Sequence, residues 1–193
     1  MLSNGMDKLK SSLSCITYNG AQHTNILIKE DGLAAMLNKV TLKVANGDWI
    51  SLNPDKGSKC KNIDATCRAV VMSPLLAIGN HDHHRACDCV VVVNRNGNLT
   101  VVYIDLKSGN PNGYAGQFKS TRQFMRYTLG LIEEFHQVKL SIADERYVIL
   151  YGGKSTSLNK TPTIPKMDKS QPNNPYKREV NNLATLYLKE LLG

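Results

Sequence analysis

Two aspartates and a lysine offer the clearest chemistry in this sequence: Asp88, Asp105 and Lys107. Between the two acids runs Asn94-Arg95-Asn96-Gly97-Asn98, flanked by β-branched and aromatic runs at residues 90–93 and 99–106. If Asn96-Gly97 forms the two-residue type I′ turn that this dipeptide favours, Arg95 pairs with Asn98 and Val93 with Thr100. Counting down the ladder then sets Asp88 opposite Asp105, and Lys107, two residues further, shares their face.

Two facing carboxylates repel each other, and at the end of an apolar hairpin they stabilise nothing unless a cation joins them. A hard divalent ion is the expected partner: Mg²⁺ takes one or two protein carboxylates and completes its shell with water and phosphate oxygens, and Mn²⁺ serves in its place. Such an ion polarises a scissile phosphate and activates water, while Lys107 orients the nucleophile or offsets developing negative charge. That is the chemistry of phosphodiester hydrolysis.

An acid on one strand, followed by acid-x-lysine on its hairpin partner, resembles the metal site of the PD-(D/E)XK nuclease superfamily. Here the match is Asp88 and Asp105-Leu106-Lys107. The following helix carries Gln123-Phe124-Met125-Arg126-Tyr127, similar to the glutamine-x-x-x-tyrosine signature of the RecB-like branch, with both side chains on one helical face. The resemblance covers residues 87–151. It implies a restriction-endonuclease-like α/β/α fold with a central mixed sheet, Asp88 and Asp105 as metal ligands, and Lys107 and Gln123 in catalysis. On the helical wheel Lys119, Arg122 and Arg126 form a basic stripe on the polar side, and with Gln123 and Tyr127 beside it they are expected to grip the backbone of a nucleic acid. The chain departs from the pattern in having Cys87 where the superfamily name has proline, and an aspartate as second acid. For the upstream glutamate or histidine of many members, the candidates are Glu30, Asp64 and His84.

Other constellations give weaker readings. His81-Asp82-His83-His84 with Cys60, Cys67, Cys87 and Cys89 invites zinc, but no Cys-x-x-Cys occurs, and Cys89 points to the strand face opposite Asp88. Gly152-Gly153-Lys154-Ser155-Thr156 looks like a phosphate-binding loop, yet its first glycine would fall at Val148. Lys119, Arg122 and Arg126 serve equally well as a solvated helix face. The rival in another class is a non-catalytic nucleic-acid-binding or assembly module on the same fold.

The elements that must position these groups read as mixed α/β. A helix is expected at residues 32–39 and a hairpin over residues 41–52 turned at Asn46-Gly47. Residues 62–78 suggest a helix and then an extended segment broken at Pro74. In the hairpin of residues 87–107, Val90, Val92, Val101 and Tyr103 form one apolar face and Val91, Val93, Val102 and Ile104 the other, the signature of central strands covered on both sides. A helix follows at residues 116–135, with Phe118, Phe124, Met125, Leu129, Leu131, Ile132 and Phe135 on the buried arc. A strand is expected at residues 146–151, a mobile basic loop at 154–177, and a closing helix at 178–192 with Val180, Leu183, Leu186, Leu188 and Leu191 inward.

The 193 residues suit one domain: an N-terminal α+β part at 1–60, a catalytic core at 61–153, a basic loop at 154–176 and a closing helix at 177–193. Lysine and arginine outnumber acids by 24 to 16, for a charge of +8 and a pI near 9.3. That balance favours a polyanion, DNA ahead of RNA. Five cysteines are an odd count for a disulfide framework, and Met1-Leu2-Ser3-Asn4-Gly5 has no secretory pattern, so the expected compartment is the cytoplasm. No apolar run approaches the ~20 residues that span a bilayer. No sequence-reading module accompanies the core, so specificity is expected from a homodimer, a partner protein or substrate shape.

Overall fold

A computed structural model describes residues 1–30, 35–57, 82–108, 113–152 and 166–192. The helices are α1 (Asn4–Ser11), α2 (Pro54–Gly57), α3 (Tyr114–His136) and α4 (Leu188–Leu192). The strands are β1 (Ile16–Asn19), β2 (Asn25–Lys29), β3 (Lys39–Lys43), β4 (Trp49–Leu52), β5 (Cys89–Arg95), β6 (Asn98–Ser108), β7 (Ser141–Gly152), β8 (Tyr176–Glu179) and β9 (Thr185–Tyr187). Six of them form a sheet in the order β1-β4-β5-β6-β7-β8, and β2-β3-β9 form a second, smaller one. In the large sheet the β1–β4, β4–β5 and β5–β6 pairs are antiparallel, whereas β6–β7 and β7–β8 are parallel. The fold is α/β with a mixed sheet.

The hairpin β5–β6 occupies the centre of that sheet, as its doubly apolar strands require. Its turn is the expected one, with Asn96 at φ 56° and Gly97 at φ 85°. Arg95 faces Asn98 and Val93 faces Thr100. Asn94 steadies the turn, accepting from Gly97 N–H at 2.8 Å and donating to Asp48 at 2.6 Å.

Each face of the sheet has its own core. On one, Val90, Val92, Val101 and Tyr103 pack with Met6 and Leu9 of α1 and with Phe118, Met125, Leu129 and Ile132 of α3. On the other, Val91, Val102, Ile104 and Leu106 pack with Ile26, Ile28, Val40 and Leu42 of the small sheet and Leu188 and Leu191 of α4. The layer on that side is therefore mostly a sheet, where the sequence suggested helices. Burial at about 25 cal/mol per Å² of apolar surface drives both layers onto the sheet.

The structure corrects several expectations. Residues 35–38 are irregular and Lys39 begins β3, so no helix occupies the described part of 32–39. Both expected strands of residues 41–52 exist, but they are not a hairpin: β3 belongs to the small sheet and β4 to the large one. Gly47 N–H bonds to Gly20 O at 3.2 Å and the Trp49 indole to Ala45 O at 2.8 Å, which carries the chain from one sheet to the other. Helix α1, capped by Ser3, and strands β1 and β2 were not anticipated individually.

At the other end, Tyr176–Glu179 is a strand alongside β7, and only Leu188–Leu192 of the expected closing helix is helical. Between them the chain turns at Asn181 to Ala184. Leu183 has φ 66° and is 64% exposed, and Asn182 Oδ1 accepts from the N–H groups of Asn38 and Lys39 at 3.2 Å each. Within the expected basic loop, Met167–Lys169 forms a 3₁₀ turn. On α3, Phe135 is 74% and Leu131 37% exposed, so the buried arc is narrower than expected. The expected segment at 62–78 lies outside the described residues. No helix among the described residues is long and apolar enough to cross a membrane.

Candidate functional site

The β5–β6 ladder pairs Cys89 with Ile104, and one step further down Asp88 stands beside Asp105. Asp88 Oδ2 accepts from the N–H of Leu106 at 2.6 Å, which fixes the first acid against the strand bearing the second. Asp105 is fully buried, and Lys107 Nζ lies 2.8 Å from its Oδ2. Lys107 also donates to Gln117 Oε1 of α3 at 2.9 Å. The structure thus brings Asp88, Asp105 and Lys107 together, with Gln117 above them.

A polar seam on α3 holds the segment that presents Asp88. Gln117 Nε2 donates to Ala86 O at 3.0 Å, Ser120 Oγ donates to His83 O, and Thr121 Oγ1 accepts from Cys87 N–H at 3.1 Å. At positions i, i+3 and i+4 these three side chains share one face, and they sit within an otherwise apolar arc. That intrusion of polar residues is the sequence signal by which Gln117 could have been found.

Burial, and then the neighbouring Asp105 charge, push the Asp88 carboxyl well above its ordinary 3.8. Burial also raises Asp105, but Lys107 beside it pulls in the opposite direction. Asp88 is therefore the member of the pair that keeps a proton when no cation is near. Glu30, directly after β2, adds its negative charge to both as the smallest of these causes. Besides Lys107, the side chain that hydrogen-bonds the buried Asp105 carboxyl is that of Asp88. Two carboxyl groups held together in a buried site fit an oxygen-seeking divalent cation, which would replace the proton they share. Among the described residues no group of three or more His, Cys, Asp or Glu is placed so that it could hold a metal ion, so the carboxyl pair is the whole of the protein's candidate ligand set there.

The remaining candidates lie elsewhere. Gln123 and Tyr127 are exposed. Gln123 sits about 9 Å along α3 from Gln117 and about 120° around it, so the helix residue that meets Lys107 is Gln117. Arg126 pairs with Glu145 at 2.9 Å, Lys119 is exposed, and Arg122 is half-buried against β7. His84 is buried and packs edge-on to His83, with ring centroids 4.3 Å apart. Cys87 and Cys89 are buried in opposite cores, their thiols pushed up by burial. They act as core residues. Cys60, Asp64, Cys67, His81 and residues 153–156 lie outside the described residues. Gly152, the last residue of β7, packs so closely that a Cβ there would meet Leu37 Cβ at 2.9 Å, a structural need for glycine independent of phosphate.

No family model, curated protein or solved structure matches the chain.

Proposed function

We propose that this protein is a metal-dependent nuclease of the PD-(D/E)XK kind that hydrolyses phosphodiester bonds, with DNA as the favoured substrate and RNA second. The observation that carries the reading is the Asp105 carboxyl, fully buried and directly against the second carboxyl, that of Asp88. Such a pair is costly by itself and becomes favourable when a cation joins it.

Asp88 and Asp105 would hold Mg²⁺ or Mn²⁺, with water and phosphate oxygens completing the shell. Bound there, the ion supplies Lewis-acid polarisation of a phosphate oxygen and lowers the pKa of water. Lys107 presents its ammonium on the same face, where it offsets negative charge developing on the phosphate or orients the attacking water. Gln117 holds that ammonium in place through Oε1, while its own amide is anchored on Ala86 O. Water is excluded from one side by the Phe118, Tyr103 and Tyr147 rings, which pack beneath α3. The charge of +8 favours a polyanionic substrate. A central hairpin bearing the acids, followed by a long helix and a parallel strand, supports the restriction-endonuclease-like reading.

A second reading, a binding module without catalysis, draws on the fact that Lys107 is already engaged by both Asp105 and Gln117. The two are separated by offering plasmid, single-stranded DNA and RNA to the purified protein in Mg²⁺, Mn²⁺ or EDTA. Metal-dependent cutting supports the nuclease. Salt-sensitive binding without cutting in any metal supports the binding module.

A further inference from the structure

A cleft of about 730 Å³ lies where the passage between the two sheets meets β9 and α4. Val44, Trp49, Val93, Leu188 and Leu192 give it an apolar wall, and Tyr187, 46% exposed, lines it as well. Lys43 and Lys189 both reach the Tyr187 ring, with their Nζ atoms 6.0 and 5.5 Å from its centroid. The two ammonium groups belong to the cleft together with the ring that gathers them.

Two like charges drawn to one ring repel each other, and neither Lys43 nor Lys189 is in an ion pair among the described residues. The one acid in the lining is Asp48, and it is occupied: Oδ1 accepts from Ser3 N–H at 2.9 Å and Oδ2 from Asn94 Nδ2 at 2.6 Å. Exposed Arg95, two residues beyond Val93 on the same face of β5, adds a third cation at this end of the molecule. Excess positive charge beside an apolar wall suits a ligand that is apolar or planar in its body and anionic at one end. The exposed Asn46 amide, also in the lining, offers a donor and an acceptor to the edge of a heterocycle.

We propose that this cleft binds a free nucleotide, with its base against the apolar wall and its terminal phosphate held by Lys43 and Lys189. A terminal phosphate carries about −1.5 to −2 charge at neutral pH, which matches two ammonium groups, whereas a phosphate inside a strand carries a single charge. The cleft volume falls within the range of small-molecule sites, roughly 300–1,000 Å³. Val93 stands five residues beyond Asp88 on β5, roughly 17 Å away, and packs on the small-sheet side, whereas the acid pair faces α3. A nucleotide held here is therefore remote from the acids and is a ligand of the protein, not a substrate of that pair.

The test uses the full chain in EDTA, where binding is read without cutting and so independently of the nuclease reading. AMP, UMP, adenosine and inorganic phosphate are titrated by calorimetry into wild type, Lys43→Gln, Lys189→Gln and Lys189→Arg. Both lysines are exposed, so the substitutions leave the fold intact. Wild type is expected to bind AMP or UMP about tenfold or more tightly than adenosine or inorganic phosphate. Each glutamine variant should bind the nucleotide about tenfold more weakly, and Lys189→Arg should bind it nearly as wild type does. Absence of nucleotide binding in wild type, or equal binding in both glutamine variants, would overturn the proposal. Inorganic phosphate or adenosine bound as tightly as AMP would overturn it in favour of a bare anion site or a purely apolar one. Displacement of AMP by a single-stranded DNA oligonucleotide without a terminal phosphate would overturn the assignment to a free nucleotide in favour of a strand.

Discussion

Asp88 accepts a hydrogen bond from the backbone N–H of Leu106, the residue that separates Asp105 from Lys107. The acid on one strand is thereby tied to the middle of the acid-x-lysine triplet on the other. Its second oxygen is left on the side of Asp105, where like charge and burial work against ionisation.

This has a consequence for stability against pH. The folded-state pKa of Asp88 lies above the unfolded value of 3.8, so its contribution is fully present below that value and is lost as pH rises through the raised pKa. In EDTA the melting temperature is expected to fall as pH is raised from about 4 to 8, and Mg²⁺ or Mn²⁺ to restore it at the upper end by binding the ionised pair. Asp88→Asn keeps an acceptor for Leu106 N–H without the charge. It should flatten the profile in EDTA, gain about 1–2 kcal/mol at alkaline pH, and lose the metal-dependent rise. Thermal scans by circular dichroism check all three, and a profile that rises with pH in EDTA would contradict the account.

Gln117 acts through Lys107, so its removal should lower turnover more than binding. Gln117→Ala is expected to reduce kcat about tenfold with KM nearly unchanged, because the ammonium loses its anchor while the acids remain. Steady-state kinetics on a short DNA duplex give the split. A larger loss from Gln123→Ala than from Gln117→Ala would favour the motif-based assignment of Gln123 over the geometric one.

Gly20 marks the passage between the two sheets. A Cβ there would lie 2.2 Å from the carbonyl oxygen of Gly47 and 2.5 Å from the Trp49 indole nitrogen. Gly20→Ala therefore forces backbone to move and is expected to cost about 1–3 kcal/mol, read as a lower urea midpoint with unchanged slope.

The parts of the fold that were legible in the sequence are those written in local contacts. Asn96-Gly97 fixes the register of its own hairpin, and that register alone puts Asp88 beside Asp105. The 3.6-residue period of α3 is equally local, and four of its seven expected inward residues, Phe118, Met125, Leu129 and Ile132, are buried. Asn46-Gly47 carries the same turn dipeptide but is overruled, because β4 finds its partners in β1 and β5 and β3 finds its own in β2 and β9. The apolar spacing of Val180, Leu183 and Leu186 mimics a helix. Parallel pairing of β8 with β7 and of β9 with β3 claims that segment instead, and such pairings leave no mark on local periodicity. At the site, Gln123 was suggested by a motif and Gln117 by nothing but its place in a polar seam.

The most direct measurement compares wild type, Asp105→Ala and Lys107→Ala in two assays on the same preparations: cleavage of DNA in Mn²⁺, and the rise in melting temperature that Mn²⁺ produces. The account predicts that wild type shows both, that Lys107→Ala keeps the rise but loses cutting by about a hundredfold or more, and that Asp105→Ala loses both. Cutting that survives in Asp105→Ala, or a metal-induced rise that does not depend on Asp105, would contradict it.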